Sequence, residues 1–376
     1  MRAHIPLITH ITPSFAPGGA QVRAVQLMNY FGSSFRHLVV SLDGNTSAGA
    51  RVRSGTDVRY AECPSSRNPF VMFYRLGQLL AFNRPSLVLT YNWGSIEAVP
   101  AGFVAGRLPV IHAEDGFGVE EAVCQIPRRV LTRRVLLRFV FRAVAPSASL
   151  VDIMRDVWRL PEHKIEHIPN GIDLSCFSEI SNRTKAGDPI VIGTVGHLRP
   201  EKRHDRLIAA CAELSRSVPL RLIIAGDGSE RPRLEEMVRL QGIGDRVRFL
   251  GHQADINTVY RQMDVFALSS ATEQMPLSVL EAMACGLPVV STDVGDVRKM
   301  VSSENGPLIT TDEGMVAALH KIAADPRARA SIGRANRLHC RRTYDISKMF
   351  ERYAVLYESA IKSTHVSAAR CSGKRN

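Results

Sequence analysis

Short apolar runs alternate along the chain with segments of helical spacing, and this alternation limits the fold more than any other feature. In the first half, strands are predicted at residues 7–11, 37–42, 87–90 and 110–113, and a helix at 20–31. In the second half, strands are predicted at 190–195, 220–225, 247–250, 265–269 and 288–292, and helices at 203–214 and 231–241. Such alternation indicates an α/β fold built on parallel, doubly wound sheets.

The length of the chain predicts two domains, because 376 residues exceed one ordinary domain core. A polar stretch at 178–189 separates the two series of strands. We therefore expect a Rossmann-like domain over 1–180, a second over 181–345, a helix over 346–362 that packs back on the first domain, and a disordered tail over 363–376. The two domains would face each other across a cleft lined by the carboxyl ends of both sheets.

Charge and cysteine usage narrow the class of protein. The formal net charge is +12, which suits a phosphorylated or otherwise anionic partner. Nucleic acid is not the expected partner, since no recognition helix, zinc finger or aromatic RNA-binding signature is present. The seven cysteines form no Cys-x-x-Cys pair, which argues against a zinc site or a disulfide framework. We find neither a signal peptide nor a membrane-spanning apolar run, so a cytoplasmic location is expected.

Two carboxylates, Glu273 and Glu281, stand on either side of a predicted helix start. Pro276 suits a first helical turn, apolar residues recur at helical spacing from Leu277, and Gly286 can end the helix. The N–H groups at such a helix start can hold a diphosphate. The carboxylates could then bind hydroxyl groups at the two ends of a nucleotide-sugar. An amphipathic helix with one exposed glutamate accounts for the same spacing.

The neighbouring motifs occur in a family order. The second half carries TVGHLRPEK at 194–202, IAGDG at 224–228, FLG at 249–251, the two glutamates within 269–288, and ENG at 304–306. Together these motifs resemble the second domain of the GT-B fold retaining glycosyltransferases of family 4, the glycosyl transferases group 1. The first half is similar to the family more weakly, through GGAQ at 18–21 and HAEDG at 112–116.

The resemblance implies that the first domain binds the acceptor and the second a UDP- or GDP-linked sugar. It assigns Lys202 to the donor diphosphate, Glu273 to the donor-sugar hydroxyls and Glu281 to the ribose hydroxyls. Four residues at the helix start would surround the diphosphate through their backbone: Met275, Pro276, Leu277 and Ser278. Gln253 would line the base pocket.

Two positions depart from the family pattern. His197 follows the strand-ending glycine where the family usually has an arginine, so either His197 or Arg199 would serve the phosphates. A histidine is only fractionally charged near neutral pH, so it would neutralise the phosphates less than an arginine does. Gln274 stands where the family often has glycine.

In the first domain, Gly18 and Gly19 would let the backbone approach the phosphates, although a simple tight turn explains them too. The resemblance places His112 near the anomeric carbon of the donor sugar, and we take His112, Lys202 and Glu273 as the candidate catalytic residues. Glu114 and Asp115 are candidates for acceptor binding.

The activity implied by the resemblance is transfer of a sugar to a glycan or lipid-linked acceptor with retention of configuration. No Asp-x-Asp occurs, so no essential metal or cofactor is expected. Arginine-rich, lysine-poor composition is typical of GC-rich bacteria and, by association, favours envelope or exopolysaccharide synthesis. The alternatives are a nucleotide-sugar epimerase or hydrolase on the same fold, and a non-catalytic scaffold.

A basic segment in the first half predicts a further surface. Arg134, Arg138 and Arg142 fall at helical i,i+4 spacing, with no acidic residue between Pro127 and Leu150. Such a helix could lie on the anionic inner face of the cytoplasmic membrane or hold a polyprenyl-diphosphate acceptor. A solvated helix face explains the same pattern equally well.

Overall fold

The computed structural model describes residues 5–63, 66, 68–121, 124–179 and 188–372. Within these residues the chain forms two parallel sheets. The strands of the first sheet are β1 (Leu7–Thr12), β2 (Arg36–Ser41), β3 (Val58–Glu62), β4 (Leu87–Tyr91), β5 (Val110–Ala113), β6 (Arg142–Ala145) and β7 (Ile165–His167). The strands of the second are β8 (Ile190–Val195), β9 (Leu220–Ala225), β10 (Val247–Gly251), β11 (Val265–Leu268), β12 (Val289–Thr292) and β13 (Ile309–Thr310).

Both sheets have the strand order of a doubly wound fold. The first runs β3-β2-β1-β4-β5-β6-β7 and the second β10-β9-β8-β11-β12-β13. The order reverses beside β1 and β8, and ligands of open α/β sheets bind at the carboxyl ends of the strands near such a reversal. The predicted α/β class with two doubly wound sheets is confirmed.

Most helices connect successive strands, and the last three follow the final strand. They are α1 (Gly19–Phe31), α2 (Pro69–Asn83), α3 (Ala98–Val104), α4 (Pro127–Leu136), α5 (Ala148–Asp152), α6 (His204–Leu214), α7 (Arg231–Leu240), α8 (Ile256–Tyr260), α9 (Leu277–Ala284), α10 (Val297–Met300), α11 (Met315–Ala324), α12 (Pro326–Thr343) and α13 (Ile346–Ser372). A π-helical turn, Ile153–Val157, continues α5.

The chain divides into two compact units that are not simple halves. The first unit contains the residues up to Gly116, Gln125–Pro169 and the residues from Met349 onward; the second contains Phe117–Cys124 and Asn170–Lys348. The sequence boundaries at 180 and 345 therefore differ from the structural ones. The linker predicted at 178–189 lies largely outside the described residues.

The first unit is completed by the C-terminal helix α13, whose aromatic side chains pack on α1. Tyr30 stacks on Phe350 with ring centroids 4.2 Å apart, and Phe31 stacks on Tyr357 at 5.3 Å. The helix continues to Ser372, whereas a disordered tail was predicted from 363. Between Ser363 and Ser372 the sequence contains neither glycine nor proline, so nothing in it breaks the helix. The rest of the predicted tail, 373–376, lies outside the described residues.

The core of the second unit surrounds α9. Four side chains of this helix are buried: Val279, Leu280, Ala282 and Met283. Every residue of β11 and of β12 is buried as well. A continuous apolar strand is typical of a parallel sheet covered on both faces. This packing fixes the position of the α9 N-terminus relative to the carboxyl ends of β11 and β12.

Candidate functional site

Two adjacent strands of the second unit, β8 and β11, deliver Lys202 and Glu273 to one edge of the sheet. After β8 the chain forms a turn that contains Lys202, and after β11 it forms the loop that contains Glu273. The Ala271 N–H donates to the Glu201 carbonyl at 2.8 Å, which ties the two loops together. Lys202 ends a 3-10 turn, and Arg203, in the left-handed region, separates it from α6.

Lys202 and Glu273 form an ion pair at this edge. The Lys202 ammonium donates to Glu273 Oε1 at 2.5 Å, and the Ser270 hydroxyl donates to the same oxygen at 2.8 Å. The Glu273 side chain is 10% exposed and that of Lys202 26% exposed, so both are shielded but reachable. The pair holds an anionic and a cationic group side by side where a diphosphate-linked sugar would need both.

Gly295, which follows β12, supports the Glu273 loop from behind. Its φ is +54°, and a Cβ atom at this position would overlap the carbonyl oxygens of Glu273 and Gln274. The Asp296 N–H donates to the Gln274 carbonyl at 3.0 Å. Only glycine meets both requirements, the left-handed backbone and the close approach.

The helix α9 begins at Leu277, and Pro276, which was predicted in the first helical turn, is the extended residue just before it. Its first N–H groups, including those of Leu277 and Ser278, have no acceptor within the helix and can bind an anion. Met275 is buried in the core of the second unit, and its carbonyl accepts a 3.0 Å hydrogen bond from the Asn170 side chain. The structure thus uses Met275 and Pro276 to hold the helix start in place.

Glu281 is the fifth residue of α9 and is held by a buried tyrosine. The Tyr260 hydroxyl lies 2.7 Å from Glu281 Oε2, to which it donates, and 3.1 Å from the Ser278 carbonyl. Burial raises the pKa of Tyr260 well above its ordinary value, and the Glu281 carboxylate adds to this rise. The tyrosine therefore stays protonated and keeps Glu281 in one orientation.

The remaining donor-site candidates lie in loops of the second unit. His197 and Arg199 are both exposed after β8, where either can meet a phosphate. Gln253 turns back on its own loop and donates to the Leu250 carbonyl at 2.6 Å. Gly226 has a φ of +136°, and a Cβ atom there would overlap the Gly196 carbonyl oxygen. The loop after β9 can pack against the loop after β8 only because this glycine carries no side chain.

In the first unit, Gly18 and Gly19 form the N-terminus of α1. Gly18 is extended and precedes the helix, which starts at Gly19. The Gln21 side chain donates to the Ser14 carbonyl at 2.9 Å and so braces the preceding loop. This loop presents helix N–H groups beside the end of β1, the arrangement that binds phosphate at other helix starts.

His112 is buried at the carboxyl end of β5 and has a partner on each ring nitrogen. Its Nδ1 lies 2.8 Å from the Thr90 hydroxyl and its Nε2 lies 3.4 Å from Glu114 Oε2. Arg133 from α4 also approaches Glu114 Oε2, with Nε at 3.4 Å. His112 and Glu114 are both completely buried in this cluster, and the contact of Glu114 with an acceptor stays a prediction.

Asp115 is bound by a buried arginine. Arg23 of α1 forms two hydrogen bonds with it, at 2.5 and 2.8 Å, and the Arg23 side chain is only 2% exposed. Burial alone would lower the pKa of Arg23, but Asp115, Tyr353 and Tyr91 together raise it above its ordinary value. The ion pair joins the helix that follows Gly18 to the loop that follows His112. Asp115 therefore has a structural role in the fold.

The predicted basic helix face does not form. The helix α4 ends at Leu136, Arg138 lies in the following turn, and Arg142 begins β6. Leu137 and Val140 are buried, so the chain turns inward and becomes extended. Arg134 donates to the Val157 carbonyl at 2.8 Å. The three arginines therefore share no helix face, although their i,i+4 spacing predicted one.

Sequence reasoning missed four supporting residues: Tyr260, Ser270, Gly295 and Arg23. Tyr260, Gly295 and Arg23 act through contacts more than 20 positions away in sequence, so no local motif marks them, whereas Ser270 lies in the same loop as Glu273. In the described part of the chain, no group of three or more His, Cys, Asp or Glu side chains could hold a metal ion. No helix among the same residues combines the length and the apolar character needed to cross a membrane.

Two family models match the chain. The model of the glycosyl transferases group 1 matches residues 177–339, and that of glycosyltransferase family 4 matches residues 17–175. The chain is 36% identical over 199 residues to a D-inositol 3-phosphate glycosyltransferase of Saccharomonospora viridis, which covers 47% of this chain and 46% of that protein. It is 34% identical over 143 residues to the putative glycosyltransferase EpsF of Bacillus subtilis, covering 36% and 37%. The chain spans about half the length of the curated relatives it matches, or less.

Solved structures share the fold over nearly the whole chain. HepE of Anabaena, determined in complex with UDP and glucose, superposes with a TM-score of 0.78 at 20% identity, covering 94% of this chain and 100% of that one. The sucrose-phosphate synthase of Thermosynechococcus elongatus superposes with a TM-score of 0.77 at 18% identity, covering 95% and 100%. Because consecutive matches to the two family models run from residue 17 to residue 339 and the fold agrees throughout, this chain belongs to the GT-B glycosyltransferases of group 1.

Proposed function

We propose that this protein transfers a sugar from a nucleotide-sugar donor to a glycan or polyprenyl-linked acceptor, with retention of configuration and without a metal ion. One observation carries the proposal: the Lys202–Glu273 ion pair lies in the loops beside the N-terminus of α9, and Glu281 lies farther along the same helix. A diphosphate at the helix start would have a carboxylate on each side of it. Relatives named as glycosyltransferases, and HepE with its bound UDP and glucose, support the choice of donor.

The two carboxylates would bind opposite ends of the donor. Glu281 lies four residues beyond Leu277, about 6 Å along the helix axis. Tyr260 fixes its carboxylate, which can accept hydrogen bonds from both ribose hydroxyls. Glu273, fixed by Lys202 and Ser270, would accept hydrogen bonds from the sugar hydroxyls. Both carboxylates are thus oriented before the donor arrives, which reduces the entropy lost on binding.

The leaving diphosphate would be stabilised by positive charge from the protein. Lys202 and the N–H groups of Leu277 and Ser278 are the candidate donors, with Arg199 or His197 as a further cation. Preorganised groups of this kind can lower a barrier by several kcal/mol when the charge develops in the transition state. Arg199 is the better candidate because its guanidinium is always charged.

We expect the acceptor oxygen to attack the face that the diphosphate leaves, which retains the configuration in a single displacement. The bond between the anomeric carbon and the phosphate oxygen breaks, and a bond from the acceptor hydroxyl oxygen forms on the same side. The hydroxyl proton passes to the departing phosphate oxygen, so no side chain has to serve as the base. The family resemblance supports this course, and envelope or exopolysaccharide synthesis is the setting that EpsF and the composition suggest.

His112 is proposed to act near the donor sugar from its place at the end of β5. Thr90 on one ring nitrogen and Glu114 on the other fix its orientation. Glu114 would be a positioning residue for His112, and Gly18 and Gly19 would contribute N–H groups to the phosphates. Glu114 and Asp115, the two residues predicted to bind the acceptor, both contact other side chains of the first unit. The acceptor is therefore to be identified by assay.

A donor panel tests the proposal. Purified protein is incubated with UDP- and GDP-linked sugars and candidate acceptors, and released nucleotide is measured with and without EDTA. We expect release that depends on acceptor and is unaffected by EDTA. The Glu273→Gln variant should lose about 100-fold in kcat/KM, as expected when an oriented contact to the reacting sugar is removed. The exposed Glu235→Gln, also in the second unit, is the matched control.

Each failure of this test has a distinct meaning. Folded protein that neither binds nor turns over any donor would overturn the enzyme assignment in favour of a scaffold. Conversion of the nucleotide-sugar without an acceptor would favour an epimerase or hydrolase. Loss of turnover on addition of EDTA would remove the metal-independent part of the proposal alone.

A further inference from the structure

The helices α2, α3 and α4 form one face of the first unit. Each follows a strand and leads to the next parallel strand across the sheet, from β3 to β4, from β4 to β5 and from β5 to β6. Right-handed crossovers that advance in the same direction place their helices on the same side of a sheet. The helix α1, whose crossover runs the other way, covers the opposite side together with α13.

This α2–α4 face exposes an unusual number of large apolar side chains. On α2 they are Phe70, Tyr74 and Phe82, exposed by 80%, 63% and 88%; on α3 and α4 and in the turn after α4 they are Phe103, Val104, Leu131, Val135 and Phe139, each exposed by 45–68%. They continue from one element to the next, since Phe103 and Phe139 contact each other with ring centroids 5.7 Å apart. A soluble surface rarely carries so large an apolar patch without a partner.

Within the helices α2, α3 and α4 the charged side chains are all positive. The described helices α2, α3 and α4 contain no aspartate or glutamate, and their C-terminal ends are followed by the exposed Arg84, Arg107 and Arg138. The Arg107 guanidinium lies 5.7 Å from the centre of the Phe103 ring. Because helices run antiparallel to the strands they connect, these three arginines lie at the edge where the strands begin. Glu97 and Glu114 follow the carboxyl ends of β4 and β5, at the other edge.

We propose that the α2–α4 face binds the surface of an anionic phospholipid bilayer, with its aromatic and aliphatic side chains in the interface and the arginines at the headgroups. Apolar side chains combined with an excess of basic ones are the two contributions that hold a peripheral protein on such a surface. A protein partner of the same apolar character would not require the complete absence of acidic residues. This surface differs from the helix face that the sequence predicted, because Arg138 lies on it while Arg142 begins β6 and Arg134 of α4 is bound to the Val157 carbonyl. It does not depend on glycosyl transfer.

Vesicle sedimentation tests the proposal with matched variants. The test variant is Phe82→Ser, Val104→Ser and Arg107→Ser; the control is Leu240→Ser, Val355→Ser and Arg248→Ser, which removes equally exposed residues from other surfaces. We expect the wild type and the control to bind phosphatidylglycerol vesicles and not phosphatidylcholine vesicles. The test variant should bind at least about 30-fold more weakly, since one basic and two apolar contacts are lost.

Several outcomes would overturn the proposal. They are absence of binding to phosphatidylglycerol vesicles, equal binding by the test variant, and equal binding to both kinds of vesicle. A concentration-dependent dimer that the test variant abolishes, without vesicle binding, would assign the face to self-association. Nucleotide release measured without vesicles should be the same for wild type, control and test variant, which separates this result from a failure of the proposed enzyme activity.

Discussion

At the scale of single residues, Tyr260 offers the most specific test of the donor site. It contributes nothing to a ligand directly, but its hydroxyl fixes Glu281. We expect Tyr260→Phe to weaken nucleotide binding about 3- to 10-fold, because one buried hydrogen bond to a charged group contributes about 1 kcal/mol or somewhat more. Titration calorimetry with the nucleotide identified in the donor panel would measure this. Tyr344→Phe removes a hydroxyl elsewhere in the second unit and should leave binding unchanged; if both variants bind like wild type, Glu281 does not contact the ribose.

The residues that could be predicted from sequence are those whose role follows from their own loop or helix. Glu273, Pro276 and Glu281 are of this kind, because helix spacing and the N-terminal turn determine where they lie. Of the partners that orient them, Ser270 lies in the same loop as Glu273, but Tyr260 comes from another element, α8. The ion pair of Arg23 with Asp115 could not be predicted from the sequence either, since 92 positions separate the two residues.

At the scale of elements, the support of one loop by another can be tested at Gly295. In Gly295→Ala the new methyl group would overlap two carbonyl oxygens of the Glu273 loop, in addition to a strained backbone. We expect a loss of about 2–4 kcal/mol in stability, combining strain with displacement of the loop, and a fall in kcat/KM for the remaining folded protein. Gly242→Ala has a similar positive φ, +67°, but open space around it, so it isolates the cost of strain.

Urea unfolding monitored by circular dichroism, together with the nucleotide-release assay, would measure both effects. The Gly242→Ala variant should lose about 1 kcal/mol and keep its activity. Equal stability and equal activity of the two variants would mean that the Glu273 loop does not depend on the turn after β12.

Most elements could be predicted from apolar periodicity, but the exceptions have a physical cause. The strands β3, β6, β7 and β13 were missed. Of these, β3, β7 and β13 lie at the edges of their sheets, where some of their residues are partly exposed. Arg142 begins β6 even though its spacing continues a helix. There the burial of Leu137 and Val140 and the pairing of β6 with β5 outweigh local helical preference.

At the scale of the whole molecule, two buried histidines should make the first unit sensitive to acid. His10 and His37 contact each other through their ring nitrogens, 3.0 Å apart. Burial lowers the pKa of His10 well below its ordinary value and that of His37 to about 4. The unfolded chain therefore binds more protons between pH 6.5 and 4, so the free energy of unfolding falls as the pH decreases through this range, and levels off for His37 below about 4.

The two tryptophans make this measurable, because Trp93 and Trp158 both belong to the first unit. Urea unfolding followed by tryptophan fluorescence should show a loss of about 2 kcal/mol per histidine from pH 7 to pH 5. The His37→Asn variant should show about half of the total loss. A free energy of unfolding that stays constant over this range would mean that water reaches the histidines in the folded protein.

The division of the chain into units also bears on the order in which it can fold during synthesis. The aromatic face of α1 at Tyr30 and Phe31 is covered by Phe350 and Tyr357. These partners leave the ribosome more than 300 residues later, after nearly all of the second unit. The unit that begins first therefore cannot be completed first. Until α13 emerges, the nascent first unit must carry an uncovered aromatic surface that chaperones can bind, and a ribosome stalled before residue 350 would hold a first unit that cannot cover this surface.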